Sequence, residues 1–253
     1  MNSNTSWGKV ANWYHSLLEE DRGSYQRAVI LPNIFRLLQI KKGDNILDIA
    51  CGSGFFAREF YKAGAKVTGV DISKELISLA KKDGPKEIEY VVAPAEKLPF
   101  KDRGFDKATI ILALQNLENV NGVLREAKRI LKPSGTLYLV LNHPAFRIPK
   151  GSGWGWNEAE KLQYRRIDQY LSESKVKIQT HPGDKPNEHT LTFHRPLQFY
   201  FKALQKAGFA VTRLEEWESH RKSEPGPRAK EENRIRKEIP MFLMLEARSR
   251  TDK

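Results

Sequence analysis

The sequence predicts an α/β fold built around a doubly wound parallel sheet, and three observations carry this prediction. Short apolar runs alternate with segments of helical period between residues 45 and 142, which is the pattern of β-α-β units. A glycine-rich turn at residues 52–54 follows the first apolar run. Helix-ending signals also stand where the helix dipole favours them, with Lys81 and Lys82 just before Gly84.

Local signals justify each element of the alternating region and of the segment before it. Apolar residues at helical spacing predict helices over 9–20 and 24–39, and Pro32 marks a kink or a new first turn in the second. Ser73 is predicted to cap a helix that carries Glu75 in its first turn. Strands are predicted at 46–50, 67–71, 88–93, 105–112 and 136–142, and helices at 55–63, 73–83 and 120–131.

The regular alternation ends at His143, and residues 143–195 are interpreted as an insertion. A helix is one option for its aromatic and basic stretch at 161–170. Two stretches of period two, 175–180 and 188–193, flank residues 181–187 and predict a hairpin arm. After the insertion we expect a helix at 197–207, a strand at 209–217, a charged loop at 219–238 and a last strand at 241–247.

Composition excludes several classes of protein. The chain has 253 residues, a formal charge of +12 and a single cysteine, Cys51. One cysteine allows neither an intramolecular disulfide nor a multi-thiolate zinc site, and no histidine pair stands at i,i+4 on a clear helix, so no metal is expected. The positive charge is spread along the chain without a basic tail, and no apolar run is long enough for a membrane span. We therefore expect a cytoplasmic protein.

The glycine-rich turn is the most informative segment. Gly52, Gly54 and Ala57 match the strand-turn-helix fingerprint of nucleotide-type ligands, and Asp71 lies 19 residues after Gly52, where an acid can bind a ribose. Asp48 stands inside the preceding strand, where its carboxylate would repel a pyrophosphate. S-adenosylmethionine has no phosphate and carries positive charge, so Asp48 favours it over NAD. A tight turn without any ligand is the remaining reading.

These residues resemble the motifs of class I S-adenosylmethionine-dependent methyltransferases. Residues 46–54 are similar to the first motif of that family and residues 70–73 to the second. Residues 95–106 resemble the third and fourth motifs of the branch that includes the ubiquinone and menaquinone C-methyltransferases, and 131–135 match the turn before the fifth strand. The resemblance covers about residues 40–142.

The resemblance implies a Rossmann-like, seven-stranded, mostly parallel sheet with an antiparallel last strand. It also implies one methyltransferase domain over 1–253. The parts of this domain are an N-terminal helical cap (1–40), a cofactor-binding core (41–142), a lid and acceptor insertion (143–195), and a C-terminal helix and strand pair (196–253).

The resemblance further implies a set of cofactor-binding residues for S-adenosylmethionine. Asp48 would hold the methionyl part and Asp71 both ribose hydroxyls, while Pro94 stands where relatives often carry Asp or Asn. The full set is Tyr14, Asp48, Gly52, Ser53, Gly54, Asp71, Ile72, Ala95, Glu96, Ile111 and Gln115.

Catalytic and acceptor residues are less strongly indicated. His143 follows the fifth strand, at the sheet edge where ligands bind, and it and His194 are the candidate bases. Trp154 and Trp156 in the insertion favour an apolar or aromatic acceptor. The candidate acceptor residues are Tyr25, Arg147, Tyr164 and Arg195.

Three functions remain open from the sequence. A methyltransferase with a small-molecule acceptor is favoured, with the insertion and the N-terminal helices as a lid. The second is an RNA or protein methyltransferase whose basic residues hold an anionic partner. The third is a catalytically silent S-adenosylmethionine-binding protein. The basic residues of the second reading are Arg165, Arg166, Lys175, Lys177 and those in 219–238.

Overall fold

The structure is a computed structural model and describes residues 7–179 and 189–250. Its N-terminal part is helical, as predicted. The elements there are a 3-10 turn (Gly8–Val10), α1 (Ala11–Glu20), a π-helical segment (Gln26–Ile30) and α2 (Leu31–Leu38). Pro32 lies in the first turn of α2, directly after the π-helical segment.

The central part alternates strands and helices. Its elements are β1 (Asn45–Ile49), α3 (Phe55–Lys62), β2 (Lys66–Asp71), α4 (Lys74–Asp83), β3 (Glu89–Val92), β4 (Phe105–Ile111), α5 (Val120–Ile130) and β5 (Leu131–Asn142). A 3-10 turn, Leu114–Asn116, links β4 to α5. Ser73 caps α4 as predicted, since its hydroxyl accepts a hydrogen bond from the Leu76 N–H.

The C-terminal part begins with two hairpins. The elements are β6 (Ser152–Asn157), β7 (Leu162–Ile167), β8 (Ser174–Gln179), β9 (His189–His194), α6 (Leu197–Lys206), β10 (Phe209–Trp217), α7 (Ala229–Glu238) and β11 (Phe242–Ser249). β8 and β9 pair antiparallel, which confirms the predicted hairpin arm over its described residues. The predicted turn at 181–187 lies outside the described residues.

Seven strands form the main sheet in the spatial order β10-β11-β5-β4-β1-β2-β3. Strands β1 to β5 run parallel, whereas β11 pairs antiparallel with both β5 and β10. The predicted sheet, with its antiparallel last strand, is confirmed. The strand order reverses between β1 and β4, and the carboxyl ends of these strands flank the crevice where ligands bind in doubly wound sheets.

Apolar side chains cover both faces of this sheet. In β5, Leu139 packs with the helices α5 and α6 on one face, whereas its neighbours Tyr138 and Val140 pack with α2 and α3 on the other. Burial on both faces explains why the strands read as nearly continuous apolar runs. Among the described residues, no helix is both long and apolar enough to cross a membrane.

Two of the predicted elements are wrong. The stretch 161–170 contains strand β7, which pairs with β6 so that Arg165 lies opposite Trp154. β7 is largely exposed and carries two arginines, so its sequence lacks the alternation of apolar and polar residues that predicts a strand. The expected loop 219–238 ends in helix α7, in which Ile235 is the buried residue. Because α7 buries so little apolar surface, its sequence shows almost no apolar periodicity and resembles that of a charged loop.

Candidate functional site

A cavity of about 390 Å³ lies at the carboxyl ends of β1, β2 and β4. Its size falls in the range of about 300–1,000 Å³ that is usual for small-molecule sites. Most of the predicted cofactor residues line it: Tyr14, Gly52, Asp71, Ile72, Ala95, Glu96 and Ile111. We call this space the cofactor cavity.

The glycine turn between β1 and α3 forms one end of the cofactor cavity. Gly54 has a φ of 78°, and a Cβ there would lie 2.5 Å from the Tyr90 hydroxyl, so only glycine fits. Cys51 lies inside this turn, and its Sγ is 2.9 Å from where a Cβ on Gly69 would stand. Enclosure, together with the charges of Asp48 and Asp71, raises the pKa of the Cys51 thiol well above its usual value. The turn therefore holds small residues in close contact.

Asp71 ends β2 with its carboxylate held in a fixed orientation. Oδ2 accepts a hydrogen bond from the Gly52 N–H at 3.0 Å, and Oδ1 accepts one from the Ser73 N–H at 2.9 Å. Burial raises the pKa of this carboxyl, and the N–H donors oppose that shift. Each oxygen retains a lone pair, so the group can accept two further hydrogen bonds from a ligand diol.

Asp48 lies in β1 behind the cavity wall and is 2% exposed. Oδ1 accepts a hydrogen bond from the Thr109 hydroxyl at 2.8 Å, while Oδ2 has no partner among the described residues. Burial raises its pKa to about 7, the Thr109 hydrogen bond opposes the shift, and the charge of Asp71 adds to it. A buried carboxylate with an unpaired oxygen fits a cationic ligand, which would favour its ionised form.

A second cavity, of about 30 Å³, lies on the other side of the 3-10 turn. Gln115 lines it rather than the cofactor cavity, and its amide donates to the Leu112 carbonyl at 2.9 Å. Arg195 is 5% exposed and donates to the Glu118 carbonyl at 3.0 Å. The structure thus brings together Arg147, His194 and Arg195, which the sequence had placed at the catalytic and acceptor site.

His194 and His143 both have protein partners. The His194 Nε2 lies 2.7 Å from the Tyr170 carbonyl oxygen, so it carries the proton and donates to that oxygen. The His143 Nδ1 accepts from the Ala145 N–H, so its Nε2 donates to Glu216 at 2.6 Å. Burial lowers the His143 pKa, and Glu216 opposes this shift.

The remaining predicted residues lie apart from the cofactor cavity. His143 lines neither of the two cavities described above. The Tyr25 hydroxyl lies 3.1 Å from the Ser219 hydroxyl, and the ring packs edge-on against Phe242. Tyr164 is 49% exposed and lies over Gly155 in the β6–β7 hairpin. Ser53 is fully buried within the turn.

Comparisons with known proteins place the chain in a family. Residues 47–139 match the family model of a methyltransferase domain. Over 130 residues the chain is 35% identical to the demethylmenaquinone methyltransferase of Chlorobaculum tepidum, covering 51% of this chain and 53% of that protein. A crystal structure of an S-adenosylmethionine dependent methyltransferase from Mesorhizobium loti is 29% identical, with a TM-score of 0.72 over 89% of this chain and 100% of that one. The chain belongs to the class I S-adenosylmethionine-dependent methyltransferases.

The family and its cofactor, S-adenosylmethionine, were both predicted from the motifs and are confirmed. The methyltransferase is also 34% identical over 180 residues to an uncharacterised protein of Methanocaldococcus jannaschii, covering 69% of this chain and 67% of that protein. By contrast, it spans about half the length of the demethylmenaquinone methyltransferases that it matches.

The charge of the cofactor cavity suits this methyltransferase. Three acidic residues line it, Asp71, Glu96 and Glu118, of which Glu118 pairs with Lys175, and no Lys, Arg or His is among its described lining residues. The positive sulfonium and ammonium groups of the cofactor therefore enter a region of negative potential. The protein carries net positive charge, but its cofactor cavity does not.

Sequence reasoning missed part of the cavity wall of the methyltransferase. Trp7 lines the cavity, with its ring 5.4 Å from that of Tyr14 at an interplanar angle of 72°. The spacing of these two aromatic residues, two helical turns, was the available signal. The segment after the 3-10 turn, residues 116–119, also lines the cavity. The position of this segment after the carboxyl end of β4 indicated that it would lie near the cofactor cavity. Only the packing shows which of its side chains line the cavity.

Proposed function

We propose that this protein is an enzyme that transfers a methyl group from S-adenosylmethionine to an uncharged small-molecule acceptor. One observation carries the proposal: an acid-lined cavity in which the fixed Asp71 carboxylate stands beside a glycine turn. When bound, the cofactor supplies a methyl group activated by the positive charge on its sulfur. The protein then has to align the acceptor and exclude water.

The described residues suggest a division of roles. We infer that Asp71 accepts hydrogen bonds from both ribose hydroxyls and that Asp48 faces the positive methionyl end. Ile72 is 41% exposed beside the cavity and offers an apolar surface for the adenine ring, whose edge would meet Ala95 and Glu96. Gly52, Ser53 and Gly54 supply the tight backbone of the turn.

The cavity chemistry supports an uncharged acceptor. Beyond the acids the wall is largely apolar, and Ala113 and Leu117 follow directly after β4. An anionic acceptor would find no Lys, Arg or His among the described lining residues, and the nearby Lys175 is already paired with Glu118. The second cavity is large enough for about one water. We therefore assign its Arg147 and Arg195 to ordering the surrounding segments.

The two histidines are proposed to hold loops in place. A hydroxyl or carbon acceptor loses a proton during methyl transfer, and because neither histidine lines the cofactor cavity we assign this proton to water, with alignment by the cavity wall as the main contribution of the protein. The hydrogen bond to Glu216 would fix the loop after β5 through His143, and the bond to the Tyr170 carbonyl would fix the β9 end through His194. Both histidines belong to the insertion at 143–195, which we propose to be the lid of a single domain.

The RNA-methyltransferase alternative has less support, because most of its basic residues are already engaged. Arg165 donates to the Phe146 carbonyl and to the Ser152 hydroxyl. Lys175 pairs with Glu118 at 3.1 Å, and Arg166 pairs with Asp168. These cations form internal contacts, so fewer are available for an RNA backbone.

Calorimetry tests the cofactor assignment directly. We expect S-adenosylhomocysteine to bind with a stoichiometry of one and NADH to show no heat of binding. Binding of NADH alone would refute the assignment. Methyl transfer is then measured from labelled S-adenosylmethionine to a panel of neutral quinols and phenols, with aromatic carboxylates as the charged comparison. Cofactor binding without transfer to any panel member would favour the silent binding protein.

A further inference from the structure

Helix α1 forms a wall of the cofactor cavity although it lies outside the sheet. Trp7 and Tyr14 reach the cavity from this side, and the Tyr14 ring is 3.4 Å from where a Cβ on Gly52 would stand. Burial and the nearby charges of Asp71 and Asp48 raise the pKa of Tyr14 to about 12, so the phenol stays neutral. A cofactor at the glycine turn would therefore be covered by α1.

One buried guanidinium connects α1 to the glycine turn. Arg58 lies in α3 with its side chain 10% exposed. Its Nη1 donates to the Ser53 carbonyl oxygen at 2.7 Å, and its Nη2 pairs with the carboxylate of Glu19 in the last turn of α1. The same side chain thus holds the backbone of the turn and the helix that covers it.

The attachment of α1 is reinforced on both sides of Glu19. Arg27 donates to the Leu18 carbonyl at 3.1 Å, and its guanidinium lies 4.6 Å from the centre of the Phe55 ring. His15 pairs with Asp83 at the end of α4, at 2.8 Å. These contacts join α1 to the π-helical segment and to α4. Arg58, unlike Arg27 and His15, also donates to the backbone of the glycine turn.

We propose that Arg58 is a positioning residue, and that its ion pair with Glu19 latches α1 over the cofactor and limits the rate at which the cofactor leaves. The inference rests on cofactor binding at the glycine turn. With Glu19 neutralised, the buried Arg58 loses its charged partner, and α1 opens more often. The competing route is exit past residues 116–119 with α1 in place.

The test compares Glu19→Gln with Glu20→Gln, which removes the same charge from an exposed position on the same helix. The complex with S-adenosylhomocysteine is mixed with excess S-adenosylmethionine, and release is followed by stopped-flow tryptophan fluorescence, to which Trp7 contributes. We expect Glu19→Gln to speed release by about five- to tenfold, the scale of one ordinary hydrogen bond, because Glu19 is partly exposed to solvent. Glu20→Gln should release at the wild-type rate.

A second measurement separates latching from a general loss of stability. Amide hydrogen exchange in the S-adenosylhomocysteine complex should be faster at residues 11–20 in Glu19→Gln and unchanged in β1. Arg58→Lys keeps the charge but loses the forked guanidinium that reaches Ser53 and Glu19 through separate nitrogens, so its release rate should fall between those of the wild type and Glu19→Gln. An unchanged release rate in Glu19→Gln would overturn the proposal, whether or not α1 exchanges faster. Failure of the wild type to bind S-adenosylhomocysteine would instead refute the proposed function.

Discussion

At the scale of single residues, Asp71 and Asp48 differ in how many of their carboxylate oxygens have a hydrogen-bond partner within the protein. Asp71 has both oxygens engaged by backbone N–H groups, so its position is set before any ligand arrives. Asp48 has one oxygen engaged and one without a described partner, so its ionisation depends on what binds nearby. Substitution and pH can test the two separately.

We predict that Asp71→Ala weakens S-adenosylhomocysteine binding by about 1–3 kcal/mol, because two ligand hydroxyls lose a charged acceptor. Calorimetry at fixed pH measures the change. Asp102→Ala is the control, since its side chain is 69% exposed and pairs with Arg129 away from the cavity. Equal affinities for wild type and Asp71→Ala would remove Asp71 from the ribose site.

We predict that binding releases a proton through Asp48. Its pKa in the folded protein, about 7, exceeds the ordinary value of 3.8, so the folded state holds this proton more tightly between about pH 4 and 7. The free energy of unfolding contributed by Asp48 therefore decreases as pH rises through that window. A cationic ligand favours the ionised form and expels the proton.

The measurement is calorimetry of S-adenosylmethionine binding, without acceptor, at pH 6.5 in buffers of different ionisation enthalpy. Wild type should show net proton release, and Asp48→Asn should show much less. If both proteins release the same number of protons, Asp48 is not the titrating group and Asp71 becomes the candidate, because burial raises its pKa as well.

At the scale of elements, the glycine turn gives a matched pair of substitutions. We predict that Gly54→Ala lowers the free energy of unfolding by about 2 kcal/mol, because the φ is positive and the new Cβ would meet Tyr90. Gly153→Ala is the control, since nothing lies within 4 Å of its Cβ position. Urea unfolding measures both. If Gly54→Ala left the free energy of unfolding unchanged, the turn would relax more easily than its contacts imply.

The β8–β9 hairpin is an element that braces the cavity rim. Arg195 lies between the Phe193 and Phe199 rings and donates to the Glu118 carbonyl, while the Thr192 hydroxyl donates to the Gln115 carbonyl. Both carbonyls belong to the segment between β4 and α5. The rim of the cofactor cavity is therefore positioned from the insertion as well as from the sheet.

We predict that Arg195→Gln lowers the free energy of unfolding by about 2–4 kcal/mol, because a buried charge network loses its centre. Lys177→Gln, which removes an exposed charge from β8, should change it by less than about 0.5 kcal/mol. Thermal and urea unfolding would show the difference. Similar values for the two variants would mean that the hairpin does not brace the rim.

Sequence patterns revealed the elements that local chemistry specifies. Ser73 signalled the start of α4, Pro32 a new first turn, and the alternating apolar runs the buried strands. Strand β7 was missed because it is largely exposed and lacks an alternating apolar pattern, and α7 was missed because it buries little apolar surface. Of the motif acids, Asp71 and Glu96 line the cofactor cavity and Asp48 lies behind its wall, whereas Trp7 was missed because only packing brings the segment before α1 to the cavity.

At the scale of the whole molecule, the net charge of +12 and the acid-lined cavity belong to different surfaces. We predict no binding of single-stranded RNA at about 150 mM salt, because most candidate basic residues are paired within the protein. Fluorescence anisotropy with a labelled oligonucleotide over a salt series tests this. Binding at that salt with a steep salt dependence would revive the RNA-methyltransferase alternative.

The lone cysteine, Cys51, lies where the cofactor could methylate the protein itself. An enzyme that holds an alkylating cofactor exposes its own nucleophiles to self-methylation, and a thiolate is the most reactive of these. Cys51 adjoins Gly52 of the cavity wall, yet the nearby acids and the tight enclosure keep it as the less reactive thiol. The negative potential that attracts the sulfonium thus also protects the turn from damage by it.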